Sequence, residues 1–335
     1  MRYEHMEEIR WGIIGCGDVT EVKSGPAFNI VPHSRLVAVM RRDGAKAADY
    51  AKRHDVRKWY NDASKLINDP EVNAIYIATP PLQHEEYTIT ALTAGKPVYV
   101  EKPMTLNASS AQRMINAATK YQTKLVVAHY RRAQPLFIKI KELLAQKAIG
   151  DIRFIQLKML QPINPVLVAQ TESNWRMDPS ISGGGLFHDL APHQLDLMTY
   201  FFGAVNNAKG MATRQQKDSA VDDLVTGQIL FENGIIFNGT WCFSVASQDQ
   251  MDICEIYGSN GKISFPMFGH KITVSVNGDQ QDYVFNALEH VQQPMIEQVV
   301  NYFLGKASNP CSGEEALISM KLLDEFTFKE STTLI

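Results

Sequence analysis

The apolar run Trp11–Ile14 leads directly into Gly15-Cys16-Gly17-Asp18-Val19-Thr20, and this Gly-x-Gly turn narrows the choice of fold more than any other feature of the chain. The first glycine permits a tight turn. The second lets the backbone approach a pyrophosphate, which would rest on N–H groups at the start of the next helix. The third position sets the spacing between helix and strand. Thr20 stands there instead of glycine, so the helix is expected slightly further out. A bare glycine turn also serves simple chain reversal. Its place in the first strand–turn–helix unit favours dinucleotide binding.

The following stretch keeps the same rhythm. Arg35–Met40, Ala74–Ala78, Pro97–Val100 and Leu125–Ala128 read as buried strands. Between them Ala45–His54, His84–Ala94 and Asn107–Tyr121 read as helices, the second stopped by Gly95 and the third capped by Asn107. Strands alternating with helices predict a doubly wound parallel sheet, and continuous apolar strands fit a sheet covered on both faces. The second half changes period. After a helix near Phe137–Gln146, longer alternating strands are expected at Ile152–Leu160, Leu224–Phe231, Ile235–Phe243, Met251–Tyr257, Ile272–Val276 and Asp282–Phe285. Asn233-Gly234, Asn260-Gly261 and Asn277-Gly278 are hairpin signals, whereas Asn238-Gly239 falls inside a strand pattern. Helices are expected at Gly185–Phe202, Pro294–Leu304 and Glu314–Glu330. The fold class is thus α/β plus α+β. An N-terminal Rossmann domain spans residues 1–128, and a mainly antiparallel open-faced sheet domain spans 129–335. An apolar open face calls for a partner subunit, giving a homodimer or homotetramer through the C-terminal sheet.

Composition removes several function classes. The chain has 335 residues and a formal net charge of -3, with only short basic pairs such as Arg41-Arg42 and Arg131-Arg132, so no nucleic-acid surface is expected. No apolar run is long enough to span a bilayer, and Met1–Arg10 lacks the apolar core of a signal peptide. Cys16, Cys242, Cys254 and Cys311 form no CxxC pair and read as reduced thiols in a cytoplasmic protein.

Three further segments carry chemistry. The second strand ends in Arg41-Arg42-Asp43. Two guanidiniums suit a 2′-phosphate, which favours NADP. NAD remains possible if the arginines are solvated and Asp43 reaches the ribose. The fourth strand runs into Glu101-Lys102-Pro103 at the edge where open α/β sheets bind ligand, and Lys-Pro is a candidate cis bond. The run Gly183-Gly184-Gly185-Leu-Phe-His188-Asp189-Leu-Ala-Pro192-His193 places Asp189 and His193 four apart, on one face of any helix, as acid–base work requires. Pro192 implies that such a helix starts close to it. A metal reading of His188, Asp189 and His193 is disfavoured, because adjacent residues do not share a helix face.

With these residues in view, the chain resembles the glucose–fructose oxidoreductase, inositol dehydrogenase and rhizopine-catabolism family (Gfo/Idh/MocA). The likeness covers most of the chain. It rests on the Gly15–Thr20 turn, Thr79-Pro80-Pro81-Leu-Gln-His84, Glu101-Lys102-Pro103, Tyr130-Arg131-Arg132, Trp175-Arg176 and Gly183-Gly-Gly with Asp189-x-x-x-His193. Thr20 and Pro81 depart from the usual small residue and Asn. The resemblance implies that Gly15, Gly17, Asp18 and Val19 cradle the pyrophosphate and that Arg41 and Arg42 face the ribose phosphate. Thr79, Pro80 and His84 would lie along the cofactor, and Glu101 and Lys102 would meet the nicotinamide. Trp175 and Arg176, in the polar loop Glu172-Ser-Asn-Trp-Arg, would close over cofactor or substrate. Lys102, Tyr130, Asp189 and His193 would contact a sugar or cyclitol. In this reading His193 takes the proton of a secondary alcohol, Lys102 polarises its oxygen and Asp189 orients the site. A nicotinamide-dependent glycosidase and a non-catalytic dinucleotide-binding regulator are the alternatives.

Overall fold

The computed structural model describes residues 6–168, 174–217 and 219–327. The first five residues, Glu172, Ser173 and the last three residues of the expected helix Glu314–Glu330 lie outside them. The chain divides into two units, residues 1–134 with 288–320, and residues 135–287 with 321–335.

The first unit holds strands β1 (Ile9–Ile14), β2 (Ser34–Met40), β3 (Lys58–Tyr60), β4 (Ala74–Ile77), β5 (Val98–Val100) and β6 (Leu125–Val127). They form one sheet in the order β3-β2-β1-β4-β5-β6, with every pair parallel. That order is the dinucleotide-binding arrangement, with the progression of strands across the sheet switching sides between β1 and β4. The helices are α1 (Asp18–Val22), α2 (Ala27–Ile30), α3 (Gly44–Arg53), α4 (Ala63–Ile67), α5 (His84–Thr93) and α6 (Ala108–Tyr121). Their starts follow from local chemistry. Asp43 caps α3 by accepting from Ala45 N and Lys46 N, and Asn107 caps α6 by accepting from Ser110 N at 2.9 Å. Strand β3 has no sequence signal, being three residues, Lys-Trp-Tyr, at the sheet edge, where nothing demands an apolar run.

The second unit holds α7 (Pro135–Ala145), β7 (Ile152–Leu160), α8 (Pro179–Ser182), α9 (Gly185–Phe202), β8 (Val205–Thr213), β9 (Leu224–Phe231), β10 (Ile236–Cys242), β11 (Met251–Gly258), β12 (Gly261–Phe265), β13 (Lys271–Val276) and β14 (Asp279–Val284). These eight strands run β14-β13-β12-β11-β7-β10-β9-β8, antiparallel except for β7 beside β10. Asn277-Gly278 turns β13 into β14 with both residues at positive φ, as a tight hairpin requires. Asn238-Gly239 lies inside β10, as its context implied. β8 and β12 carry no clear strand pattern in sequence, because one reads Val-Asn-Asn-Ala-Lys-Gly and the other is five residues long.

One boundary moves. The sequence assigns everything after residue 128 to the second domain, yet α10 (Gln293–Phe303) belongs with the first unit. Its Met295, Ile296, Val299, Val300 and Phe303 complete the apolar core around Trp11, Phe28 and Tyr99. The long helix α11 (Gly313–Thr327) spans the division at 320/321.

Candidate active site

In the first unit, β1 delivers Gly15 at φ +95, where a Cβ would lie 2.7 Å from the Thr79 backbone nitrogen, so only glycine passes between β1 and Thr79. The Gly15 and Cys16 N–H groups both donate to the Met40 carbonyl, tying the turn to the end of β2. Gly17 differs. Its backbone is extended, and a Cβ there would meet nothing nearer than the Gly15 oxygen at 3.9 Å. The missing side chain leaves open space above the start of α1. There the N–H groups of Asp18 and Val19 have no acceptor among the described residues. Open space plus two free donors fits a pyrophosphate. Thr20 is fully buried; its Oγ1 accepts from Gly17 N at 3.0 Å and donates to Gly17 O at 2.7 Å. It thus supplies the cap that Gly17 lacks. The Cys16 thiol is pushed up to about 11, chiefly by burial, and stays neutral.

At the end of β2, Arg41 Nη1 reaches the Cys16 carbonyl at 3.4 Å and Arg42 is exposed. The Asp43 Oδ1 is engaged with the first N–H groups of α3. Across β4 and β5, Thr79, Pro80, Glu101 and Lys102 follow the strand carboxyl ends, and the Lys102–Pro103 peptide is cis, as the sequence suggested. Glu101 is buried and accepts from Tyr76 Oη at 2.5 Å, Gln292 Nε2 at 2.6 Å and Lys102 N at 3.2 Å. His84 is 1% exposed and bridges two loops, with Nε2 at 2.7 Å from the Thr79 carbonyl and Nδ1 at 3.0 Å from that of Pro103. Burial pushes its pKa down to about 4, against the opposing pull of those carbonyls. The neutral ring carries one N–H, so it donates to one of these carbonyls at a time and ties the two loops together. Tyr130 is 7% exposed and packs in the core of this unit, with the Arg131 guanidinium 5.7 Å from its ring centroid.

In the second unit, α9 spans Gly185–Phe202 as the sequence reads; it runs through Pro192, so only the expectation of a start close to the proline is corrected. Proline gives up the N–H bond to residue 188 and its ring crowds that carbonyl, and the helix, almost wholly buried on its N-terminal two-thirds, is held by packing. Gly184 makes room for the His188 ring, whose nearest atom would lie 2.3 Å from a Cβ. Burial pushes His188 down to about 4. Asp189 and His193 lie four apart on α9, and Arg176 Nε donates to Asp189 Oδ2 at 2.8 Å. The same guanidinium stacks 4.5 Å over the Trp175 ring, which is half-buried in a short 3-10 turn and is no core aromatic. His193 is 3% exposed and meets the Phe268 ring edge-to-face at 5.9 Å. Sequence reasoning missed Tyr76, Gln292 and Phe268. Each lies far in sequence from the residue it contacts, so no local spacing marks it.

Two family descriptions match this chain: "Oxidoreductase family, NAD-binding Rossmann fold" over residues 9–129, and "GFO/IDH/MocA C-terminal domain" over residues 137–264. The chain belongs to the Gfo/Idh/MocA oxidoreductase family. Among Gfo/Idh/MocA relatives, Oxidoreductase P35 of Formosa agariphila is 49% identical over 318 residues, covering 95% of this chain and 98% of the relative. A trans-1,2-dihydrobenzene-1,2-diol dehydrogenase of Bos taurus is 31% identical over 72% of this chain and 69% of its own length. Levoglucosan dehydrogenase, solved with NADH and levoglucosan, shares the fold at a TM-score of 0.83 and 21% identity, covering 95% of this chain and 96% of that one. Aldose-aldose oxidoreductase of Caulobacter crescentus matches at the same TM-score, identity and coverage. Membership makes this Gfo/Idh/MocA chain an oxidoreductase with a nicotinamide-nucleotide-binding domain.

Proposed function

We propose that this oxidoreductase transfers hydride between a nicotinamide cofactor, NADP in preference to NAD, and a ring hydroxyl or carbonyl of a sugar, sugar derivative or cyclitol. The observation that carries the reading lies within one unit. The open space at Gly17 follows β1, and Glu101-Lys102 follows β5, both at strand carboxyl ends of one sheet. The names of the dihydrodiol, levoglucosan and aldose relatives support a cyclic polyol as substrate.

Gly15, Gly17, Asp18 and Val19 hold the pyrophosphate, and Arg41 and Arg42 face the ribose phosphate. The capping duty of Asp43 favours NADP over NAD, because its carboxylate serves α3. Thr79, Pro80 and Glu101 line the nucleotide. A bound nicotinamide supplies the hydride acceptor in oxidation and the donor in reduction. Lys102 presents an ammonium that stabilises negative charge developing on the substrate oxygen. His193 takes the alcohol proton in oxidation and returns it in reduction. Asp189, held by Arg176, orients substrate hydroxyls, and Trp175 and Tyr130 contribute apolar surface. A cytoplasmic location is supported by four cysteines that form no disulfide.

The test is fluorescence titration of the protein with NADPH and NADH, followed by a screen of ring polyols in both directions. Preferential NADPH binding and turnover of a cyclic polyol are expected. Lys102→Met is expected to lower turnover at saturating nucleotide by about 10²–10³-fold. Absence of binding to either nucleotide would remove the reading.

A further inference from the structure

Glu101 is a carboxylate enclosed in protein, 6% exposed, and its partners among the described residues are three uncharged donors. A buried carboxylate persists as an anion only if donors are fixed around it. Lys102 N serves one oxygen. The other receives Tyr76 Oη and Gln292 Nε2 together. Gln292 sits 191 residues beyond Glu101 in the chain and is 1% exposed. Each of its polar groups has a defined task. Its Oε1 accepts from Tyr99 Oη at 3.1 Å, which fixes the amide so that Nε2 points at the carboxylate. Its backbone N–H donates to the Lys23 carbonyl just past α1. Next to it, His290 Nδ1 lies 2.6 Å from the Val22 carbonyl. Tyr76 makes the same link from the other side, since its hydroxyl also lies 3.1 Å from Ser24 Oγ, which reaches the Val19 carbonyl. The stacked rings of Tyr76 and Tyr99, 5.2 Å apart and fully buried, keep both hydroxyls in place.

We propose that Gln292 is a positioning residue for the nicotinamide end of the site: its amide fixes the Glu101 carboxylate, and its backbone joins that anchor to the helix that follows the phosphate turn. This rests on the dinucleotide reading above. The fixed carboxylate holds the Glu101–Lys102 strand end in the geometry that receives the nicotinamide half of the cofactor. The adenosine half is held elsewhere, at Gly15–Val19 and Arg41–Arg42, and does not depend on the Gln292 side chain.

The experiment compares two probes on the full chain, NADPH and 2′-phospho-ADP-ribose, which lacks the nicotinamide ring. Gln292→Met keeps side-chain length and the backbone bond to Lys23 but removes the amide. Tyr76→Phe removes the other donor. Each variant is expected to weaken NADPH about tenfold and to leave 2′-phospho-ADP-ribose within twofold. The double variant should fall short of the product of the two single losses, because both act through one carboxylate. Unchanged NADPH affinity in both variants would overturn the proposal. So would equal weakening of both probes, which would make the network a general brace of the unit. If Gln292→Met fails to fold, Tyr76→Phe decides by the same criterion. A wild-type protein that binds neither NADPH nor NADH would instead overturn the dinucleotide reading itself.

Discussion

Arg41 and Arg42 follow β2 with opposite situations, one tethered to the glycine turn through the Cys16 carbonyl and the other exposed. Charge-assisted bonds to a phosphate contribute about 1.5–3 kcal/mol each. Replacing both by Ala is therefore expected to weaken NADPH by about two orders of magnitude while NADH changes by less than threefold, as read by fluorescence titration. Two buried imidazoles set a second expectation. His84 and His188 both titrate near 4 in the folded chain, because burial disfavours the charged ring. In the unfolded chain they titrate near 6.5. The folded pKa lies below the unfolded one, so between those values the unfolded state binds more protons and stability falls as pH falls. The loss begins near pH 6.5, is complete near 4, and reaches about 3 kcal/mol for each ring. Urea unfolding at pH 7.5 and 5.5 should differ by about 2–3 kcal/mol, and His188→Leu should reduce that difference by about half. A flat profile would mean that these rings are not buried and neutral.

Among the elements, α6 shows how a cap decides a helix that propensity alone leaves open. Asn107 Oδ1 accepts both the backbone N–H and the hydroxyl of Ser110, and the helix ends where Gln122 turns left-handed at φ +51. Asn107→Ala is expected to cost about 1 kcal/mol, seen as a lower urea midpoint with unchanged slope. Caps and hairpins of this kind were legible in the sequence because their causes are local. Asn107 before α6 and Asn277-Gly278 between β13 and β14 each act within four residues. The misses have the opposite character. β3 and β8 are edge strands, each paired on one side only, so neither needs the apolar run that marks a central strand, and α9, though expected at Gly185–Phe202, carries Pro192 inside it because burial along the helix offsets what the proline costs.

At the scale of the whole molecule, one face of the second unit's sheet is unlike the other. Ile155, Leu157 and Met159 on β7 are buried, whereas Phe154 is 40% exposed. In register across the outer face stand Leu230 on β9, Ile236 on β10, Phe154 on β7 and Tyr257 on β11, with Phe154 and Tyr257 stacked at 4.5 Å. A contiguous apolar row of this kind fits a second copy of the chain, and we propose a homodimer or homotetramer built on it. Light scattering should show more than one chain per particle, and Phe154→Lys with Ile236→Lys should reduce the mass to a monomer. A wild-type monomer at micromolar concentration would end that proposal. The sequence by itself determined the parallel-then-antiparallel order, the glycine turn, the Arg41-Arg42 pair, the Glu101-Lys102 strand end and the Asp189/His193 spacing. Each of these is written in residues that are neighbours along the chain. Only the tertiary structure decided that residues 288–320 return to the first unit, that Gln292 and Tyr76 enclose Glu101, and that Arg176 holds Asp189. Those contacts join residues from 13 to 191 positions apart, and the burial that makes them matter exists only once the chain has closed around them.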